Sequence, residues 1–191
     1  MSTKEFQIPV PYYSQYVDVK NEEWKHRSCG IVCAKMMLAY LGMARGVSLD
    51  DFILEGITLG AYSEYGWTHK GIASLAEMYG ATLIPQEWRK KINSPEGYEV
   101  QFTEGLAVLL TEIRAGRPVI VSVVKKFKYP RKFHMVILVG EVKNDQQITQ
   151  GLLYHDPEYS SVEEGAFRIV SLAVFQEYWR GMAILCNPSL T

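Results

Sequence analysis

Cysteine is scarce in this 191-residue chain: three residues, an odd number, too few for a disulfide framework. The expected setting is therefore a reducing one, the cytosol by default, although secretion without a signal peptide is compatible with the same count. An excess of charge of one sign is also missing. Twenty Lys and Arg face 21 Asp and Glu, a formal net charge of −1. No overall field draws the chain to nucleic acid or to an anionic membrane. No run of about eighteen apolar residues exists, so no transmembrane helix is expected. The stretch from Met1 to Gln7 has no apolar signal core. Internal repeats and low-complexity tracts are absent too. What is left is a globular composition, 48% hydrophobic and 21% charged, able to bury a substantial core.

Capping residues and periodicity divide this domain into two halves. Residues 8–17 read as an extended aromatic segment broken by Pro9 and Pro11, and 18–27 as a polar loop. Ser28 is a candidate N-cap for a helix running to about Leu41, with Gly42 as its stop. Lys35 is the only charge inside that helix, which predicts burial on most sides. Ser48 caps a predicted helix to about Glu55, Thr68 one to Tyr79, and Thr103 one over residues 104–115. A short strand is expected over 81–85. After Pro118, strands fit residues 119–124, 133–142, 150–156, 166–170 and 182–186 by their β-branched content, with a helix at about 172–180 behind Ser171. The reading is α+β: a helical lobe over about 18–116, whose helix at Cys29 packs on an antiparallel sheet lobe over about 117–191.

The chemistry-bearing residues come in the order Gln, Cys, His, Asp. Cys29 sits at a helix start, where the positive end of the helix dipole favours thiolate over thiol. His134 opens a strand and Asp156 closes the next one. If the hairpin between them is symmetric about Asp145, His134 lies opposite Asp156 on one face. Such a carboxylate orients an imidazole, and the imidazole can take the proton of a thiol. Gln15 can donate to an oxyanion, with the Cys29 backbone N–H as second donor. Gly30 would leave room beside the nucleophile. Taken without context, each residue has a plainer explanation: a buried small hydrophobe, a strand histidine, a turn-forming Asp before Pro157, a solvated glutamine.

Other residues invite stronger claims than they support. Cys33 lies one turn from Cys29, but a lone Cys-x3-Cys is a weak metal signal, and no metal or cofactor is expected. Cys186 reads as core, His26 as a solvated loop residue and His69 as neutral and structural. His155 is the reserve base if the hairpin register is shifted. Residues 125–132 carry five positive charges, either as a solvated loop or as a cleft edge attracting an acidic partner. Trp24, Tyr62, Tyr65 and Trp67 either line a groove or pack beneath loops.

Blocks of this sequence resemble the papain-clan cysteine peptidases related to bacteriocin leader peptidases, cysteine peptidase family 39. The blocks are Ile8-Pro9-Val10-Pro11-Tyr12-Tyr13-Ser14-Gln15, Ser28-Cys29-Gly30, Gly116-Arg117-Pro118-Val119-Ile120-Val121, His134-Met135-Val136-Ile137-Leu138-Val139-Gly140 and Asp156-Pro157. The resemblance implies a papain-like fold with a cleft between the lobes, and a Cys29–His134–Asp156 triad with Gln15 as oxyanion donor. The family's best-known members are domains of membrane transporters that cut after a Gly-Gly leader motif. Neither a transmembrane run nor a nucleotide-binding domain accompanies the blocks here. The expected function is a cysteine peptidase cleaving a peptide or isopeptide bond in a peptide or protein substrate. Acyl transfer through the same thioester, and a non-catalytic peptide-binding module, are the alternatives.

Overall fold

The computed structural model describes residues 3–89, 95–129 and 132–187, with the backbone alone over 95–99. Its centre is helix α2 (Cys29–Tyr40), whose sequence is apolar on every side and whose residues Gly30 to Leu38 are all buried. The helix ends as Gly42 predicts. Gly42 is left-handed (φ 76°), its N–H donates to Ala39 O at 3.1 Å, and Met43 N–H reaches back to Leu38 O at 2.8 Å. The buried Lys35 ammonium then donates to Ala44 O at 2.6 Å and Val47 O at 2.7 Å, fastening the following loop to the helix. Replacing Lys35 by Met strands two carbonyls. We expect a loss of about 1–3 kcal/mol in unfolding free energy, measured by denaturant titration.

Two helices flank α2. Helix α3 (Leu49–Thr58) and α4 (His69–Met78) start where Ser48 and Thr68 accept the N–H of Asp51 and Gly71. A two-stranded hairpin, β2 (Tyr62–Ser63) and β3 (Gly66–Trp67), joins them. The loop expected over 18–27 contains one short helix, α1 (Glu22–Lys25). The helix expected to begin after Thr103 begins earlier: α5 spans Pro95–Arg114, with Pro95 in the first-turn slot that tolerates a missing N–H.

A seven-stranded antiparallel sheet supports these helices. Its strands are β1 (Lys4–Gln7), β4 (Leu83–Glu87), β5 (Val119–Val124), β6 (Phe133–Lys143), β7 (Thr149–His155), β8 (Arg168–Ser171) and β9 (Trp179–Cys186). The order is β4-β9-β5-β6-β7-β8, and β1 takes over from β5 along the far half of β6. That handover needs Gly140, because a Cβ there would collide with the Phe6 carbonyl. The first part of the chain therefore contributes β1 and β4 to the sheet, which a division at residue 117 does not anticipate. Short helix α6 (Val162–Gly165) and α7 (Leu172–Tyr178), the latter capped by Ser171, complete the α+β architecture. Helix α2 packs on β6, α5 on β5 and β6, and α7 on β7. Strand β5 is buried at every residue.

The β6–β7 register differs from the symmetric expectation. Leu138 pairs with Tyr154 and Ile137 with His155, so the pairing is displaced by two residues from the one that would oppose His134 and Asp156. The turn is the reason: Gln147 adopts φ 62°, its N–H donates to Asn144 O, and irregularities follow at Val142/Lys143 and Leu138/Gly140. The slip of two that holds beside His134 and Asp156, unlike a slip of one, keeps their side chains on one face.

Candidate active site

Cys29 is the first residue of α2 and remains partly exposed, at the end where unpaired helix N–H groups carry positive potential. Ser28 precedes it but does not cap: its hydroxyl makes no cap bond and is buried without a partner among the described residues. His134 is the second residue of β6, and Asp156 follows the last residue of β7; both are buried. Despite the displaced register, His134 Nε2 donates to Asp156 Oδ1 at 2.7 Å. The same Oδ1 accepts the Glu158 N–H at 3.0 Å, an Asx-type turn across Pro157. Tyr12 OH holds the turn from outside, donating to Asp156 O at 3.0 Å and Tyr159 O at 2.6 Å. Since a carboxylate only accepts, Nε2 carries the proton, and Nδ1 is the ring nitrogen left for the sulfur.

The electrostatics of these groups are coupled. Burial alone would raise the Cys29 thiol, but the charge and hydrogen bond of His134, with backbone hydrogen bonds at Met135 and Gly30, bring it below its ordinary value. Burial alone would neutralise His134. The facing Cys29 charge, the Asp156 hydrogen bond, the Cys29 hydrogen bond and the Asp156 charge instead raise it to about 10. Burial pushes Asp156 up, and its hydrogen bond and charge contact with His134 overcome that, leaving it below the usual carboxylate value. This is the electrostatic signature of an ion pair between thiolate and imidazolium.

Gln15 is fully buried beside the same turn. Its backbone N–H donates to Pro157 O at 2.9 Å and its Nε2 to Glu158 Oε2 at 3.0 Å. Lys125 Nζ lies 2.6 Å from Glu158 Oε1, so the basic run touches the site through its first residue. Lys126 sits over the Tyr159 ring, while Pro130 and Arg131 lie outside the described residues. Glu158 is the residue that sequence reasoning missed, and Lys125 entered only as the first residue of the basic run. The available signal was the polar residue two positions after an Asp that precedes proline.

The remaining candidates separate from this group. His155 is wholly buried: its Nε2 donates to Val10 O at 2.9 Å and its Nδ1 accepts from Phe167 N at 3.0 Å, which leaves no role for it as reserve base. His69 is hydrogen-bonded to Ser122 Oγ at 2.8 Å and is pulled down to about 4 by burial and by the charges of Arg180 and Arg89, hence neutral. His26 is exposed but bonds Tyr16 OH through Nδ1. Cys33 is buried, its thiol pushed well up by burial and by the Cys29 and Asp156 charges. No cluster of three or more His, Cys, Asp or Glu suited to a metal occurs among the described residues. Trp24, Tyr62 and Trp67 pack edge to face, and Trp67 Nε1 donates to Arg27 O at 2.8 Å, bracing the loop before Cys29; Tyr65 points to solvent. Gly30 does not leave open room. A Cβ there would lie 2.7 Å from Met135 Sδ and 3.2 Å from Trp67 Cβ, so glycine serves helix–strand packing. Gly30→Ala should displace Met135 and slow labelling of Cys29 by iodoacetamide severalfold, read by peptide mapping.

A sequence profile of the Peptidase_C39 like family matches residues 7–186. The chain belongs to that family. Among curated proteins none matches the sequence. Solved structures give the same fold. The chain designated a C39-like peptidase in Bacillus anthracis superposes with TM-score 0.65 at 16% identity, covering 98% of this chain and 100% of that one. A double glycine motif protease from an AMS/PCAT transporter, solved with its leader peptide, gives TM-score 0.58 at 17% identity, covering 96% and 94%. The peptidase domain of Streptococcus ComA, a bifunctional ABC transporter of a quorum-sensing pathway, gives 0.56 at 21% identity, covering 86% and 93%. The papain-like fold of these C39 domains is thus the fold of this protein. No helix among the described residues is long and apolar enough to cross a membrane.

Proposed function

We propose that this C39-family protein is an active cysteine peptidase that cleaves a peptide or isopeptide bond through Cys29, His134, Asp156 and Gln15. The observation that carries the reading is the buried His134–Asp156 hydrogen bond of 2.7 Å, with the free face of the imidazole paired electrostatically with a thiol at a helix start. Cys29 attacks the carbonyl as thiolate. Gln15 Nε2 and the Cys29 backbone N–H receive the oxyanion. Imidazolium at His134 protonates the leaving amine, and the thioester is then hydrolysed by a water that the neutral ring deprotonates. Asp156 keeps the ring in the required tautomer throughout. The three cysteines, all unpaired, fit a reducing compartment such as the cytoplasm.

Digestion of a proteome-derived peptide library, with Cys29→Ala as control, tests this and reports the cleavage preference. Cuts by the wild type that vanish in the variant support it; an unaltered library with both, although Cys29 labels rapidly, would favour a peptide-binding module. New amide products in the presence of an added amine would mark acyl transfer.

The pH dependence has a defined sign. The thiol lies below its ordinary value and the imidazole at about 10, so the reactive ion pair fills the interval between. We expect kcat/KM to rise on a limb below the free-thiol value of about 8.5 and to fall only near pH 10, the two apparent values belonging to the pair. A single rise at the free-thiol value would contradict this.

A further inference from the structure

We propose that Glu158, neutralised by Lys125, is the positioning residue of the oxyanion donor Gln15, and that this carboxylate–ammonium pair also sets the charge facing Cys29. The proposal rests on the peptidase reading above.

A glutamine amide has two ends of nearly equal shape, and only the nitrogen end can serve an oxyanion. Gln15 is fully buried, and its Oε1 finds no hydrogen-bond partner among the described residues. Its orientation is therefore decided at the nitrogen end, where Glu158 Oε2 lies 3.0 Å away. A carboxylate accepts and never donates, so the flipped amide would set oxygen against oxygen. Glu158 engages Nε2, and the Gln15 side chain also bonds Tyr16, itself held by Glu158 Oε1, so the nitrogen end is fixed from two sides. Glu158 also donates its backbone N–H to Asp156 Oδ1 at 3.0 Å and accepts from Tyr16 OH at 3.1 Å. One residue thus ties the oxyanion donor to the carboxylate that orients His134.

A bare carboxylate beside a developing oxyanion would oppose catalysis. Lys125 Nζ at 2.6 Å offsets it, in a setting where the lysine side chain is 30% and the glutamate side chain 11% exposed. Burial lowers the Lys125 value, but the hydrogen bond and charge of Glu158, with contributions from Tyr16 and Cys29, raise it overall, so the ammonium persists. His134 from β6, Cys33 within α2 and Lys125 after β5 are coupled to Cys29 directly, whereas Glu158 from the turn after β7 reaches it through Lys125 and through the Asp156–His134 pair, with Tyr12 and Arg168 beside Asp156 and Tyr16 and its partner His26 beside Glu158.

The test uses the full chain and three variants, E158Q, K125M and the double variant, each checked for a native melting transition. The first readout needs no substrate: the pH midpoint of iodoacetamide labelling at Cys29. K125M removes a positive charge and should move the midpoint up. E158Q removes a negative charge and should move it down. Each shift should change the rate by about 3–10-fold at fixed pH on the acid limb, and the double variant should return near wild type. The second readout is turnover of the most efficiently cut library peptide. E158Q and the double variant should lose about 10–100-fold in kcat with KM little changed, because the amide is no longer held in one orientation. Superimposable labelling profiles, or wild-type kcat in E158Q, would overturn the proposal. If the wild type cuts nothing, the peptidase reading fails, and the labelling midpoints still decide the inference: opposite shifts sustain the charge pair, coincident midpoints end it.

Discussion

Cys29→Ala is expected to remove turnover, a loss of about 10⁴–10⁶-fold, while the protein stays folded. The size follows from the role: without sulfur no acyl-enzyme forms, and only the oxyanion donors and substrate binding remain. The preserved fold follows from position. Cys29 is partly exposed at a helix start, and its replacement deletes one atom without opening a core cavity, so the stability change should stay on the order of 1 kcal/mol. The matched control is Cys33→Ala. Cys33 is fully buried, its thiol is pushed well above the ordinary value, and it faces Met135 O at 3.5 Å. Its loss should cost some stability and leave chemistry near wild type. Equal activity in both variants would remove the nucleophile from this account.

His134→Ala should have the next largest effect, and it needs no substrate to be seen. The imidazolium is what holds the Cys29 thiol low against burial. Without it, desolvation acts alone and the thiol returns to its ordinary range or above. At pH 6 a thiol of ordinary acidity is ionised only to about one part in several hundred. Labelling of Cys29 by iodoacetamide at that pH should therefore slow by about 10²-fold, and peptide turnover by more, because in the proposed mechanism the same ring also protonates the leaving amine. Asp156→Asn should be far milder, since the Glu158 N–H holds the amide oxygen where it can still accept from His134 Nε2.

The sequence made the nucleophile helix legible because its stop was written in glycine and its burial in a run of apolar residues with one lysine. It made His134 and Asp156 legible as a same-face pair, although the register was wrong by two. Gln147 occupies the left-handed position of the turn, where a glycine would have marked it, so symmetry was the only guide available. The pair survived because strand faces repeat every two residues. Strand β1 was illegible for another reason: Lys4, Glu5, Phe6 and Gln7 are all exposed and show no alternation. Helix α1 is a single turn, too short for periodicity. The early start of α5 was hidden by Gly97, although Pro95 marked it. Glu158 was marked only by its place two residues after Asp156, which says nothing of its side-chain contacts. Its partners Gln15 and Lys125 are distant in sequence and meet it only through the fold.

The proposed chemistry requires Cys29 to exist as a thiolate paired with protonated His134. The pH profile of iodoacetamide labelling at Cys29 in the unmodified protein, resolved from Cys33 and Cys186 by peptide mapping, tests it most directly. Cys29 alone should label rapidly, with its midpoint below the 8.5 or so of a free thiol. Slow labelling of all three cysteines, rising together only at or above pH 8.5, would contradict it.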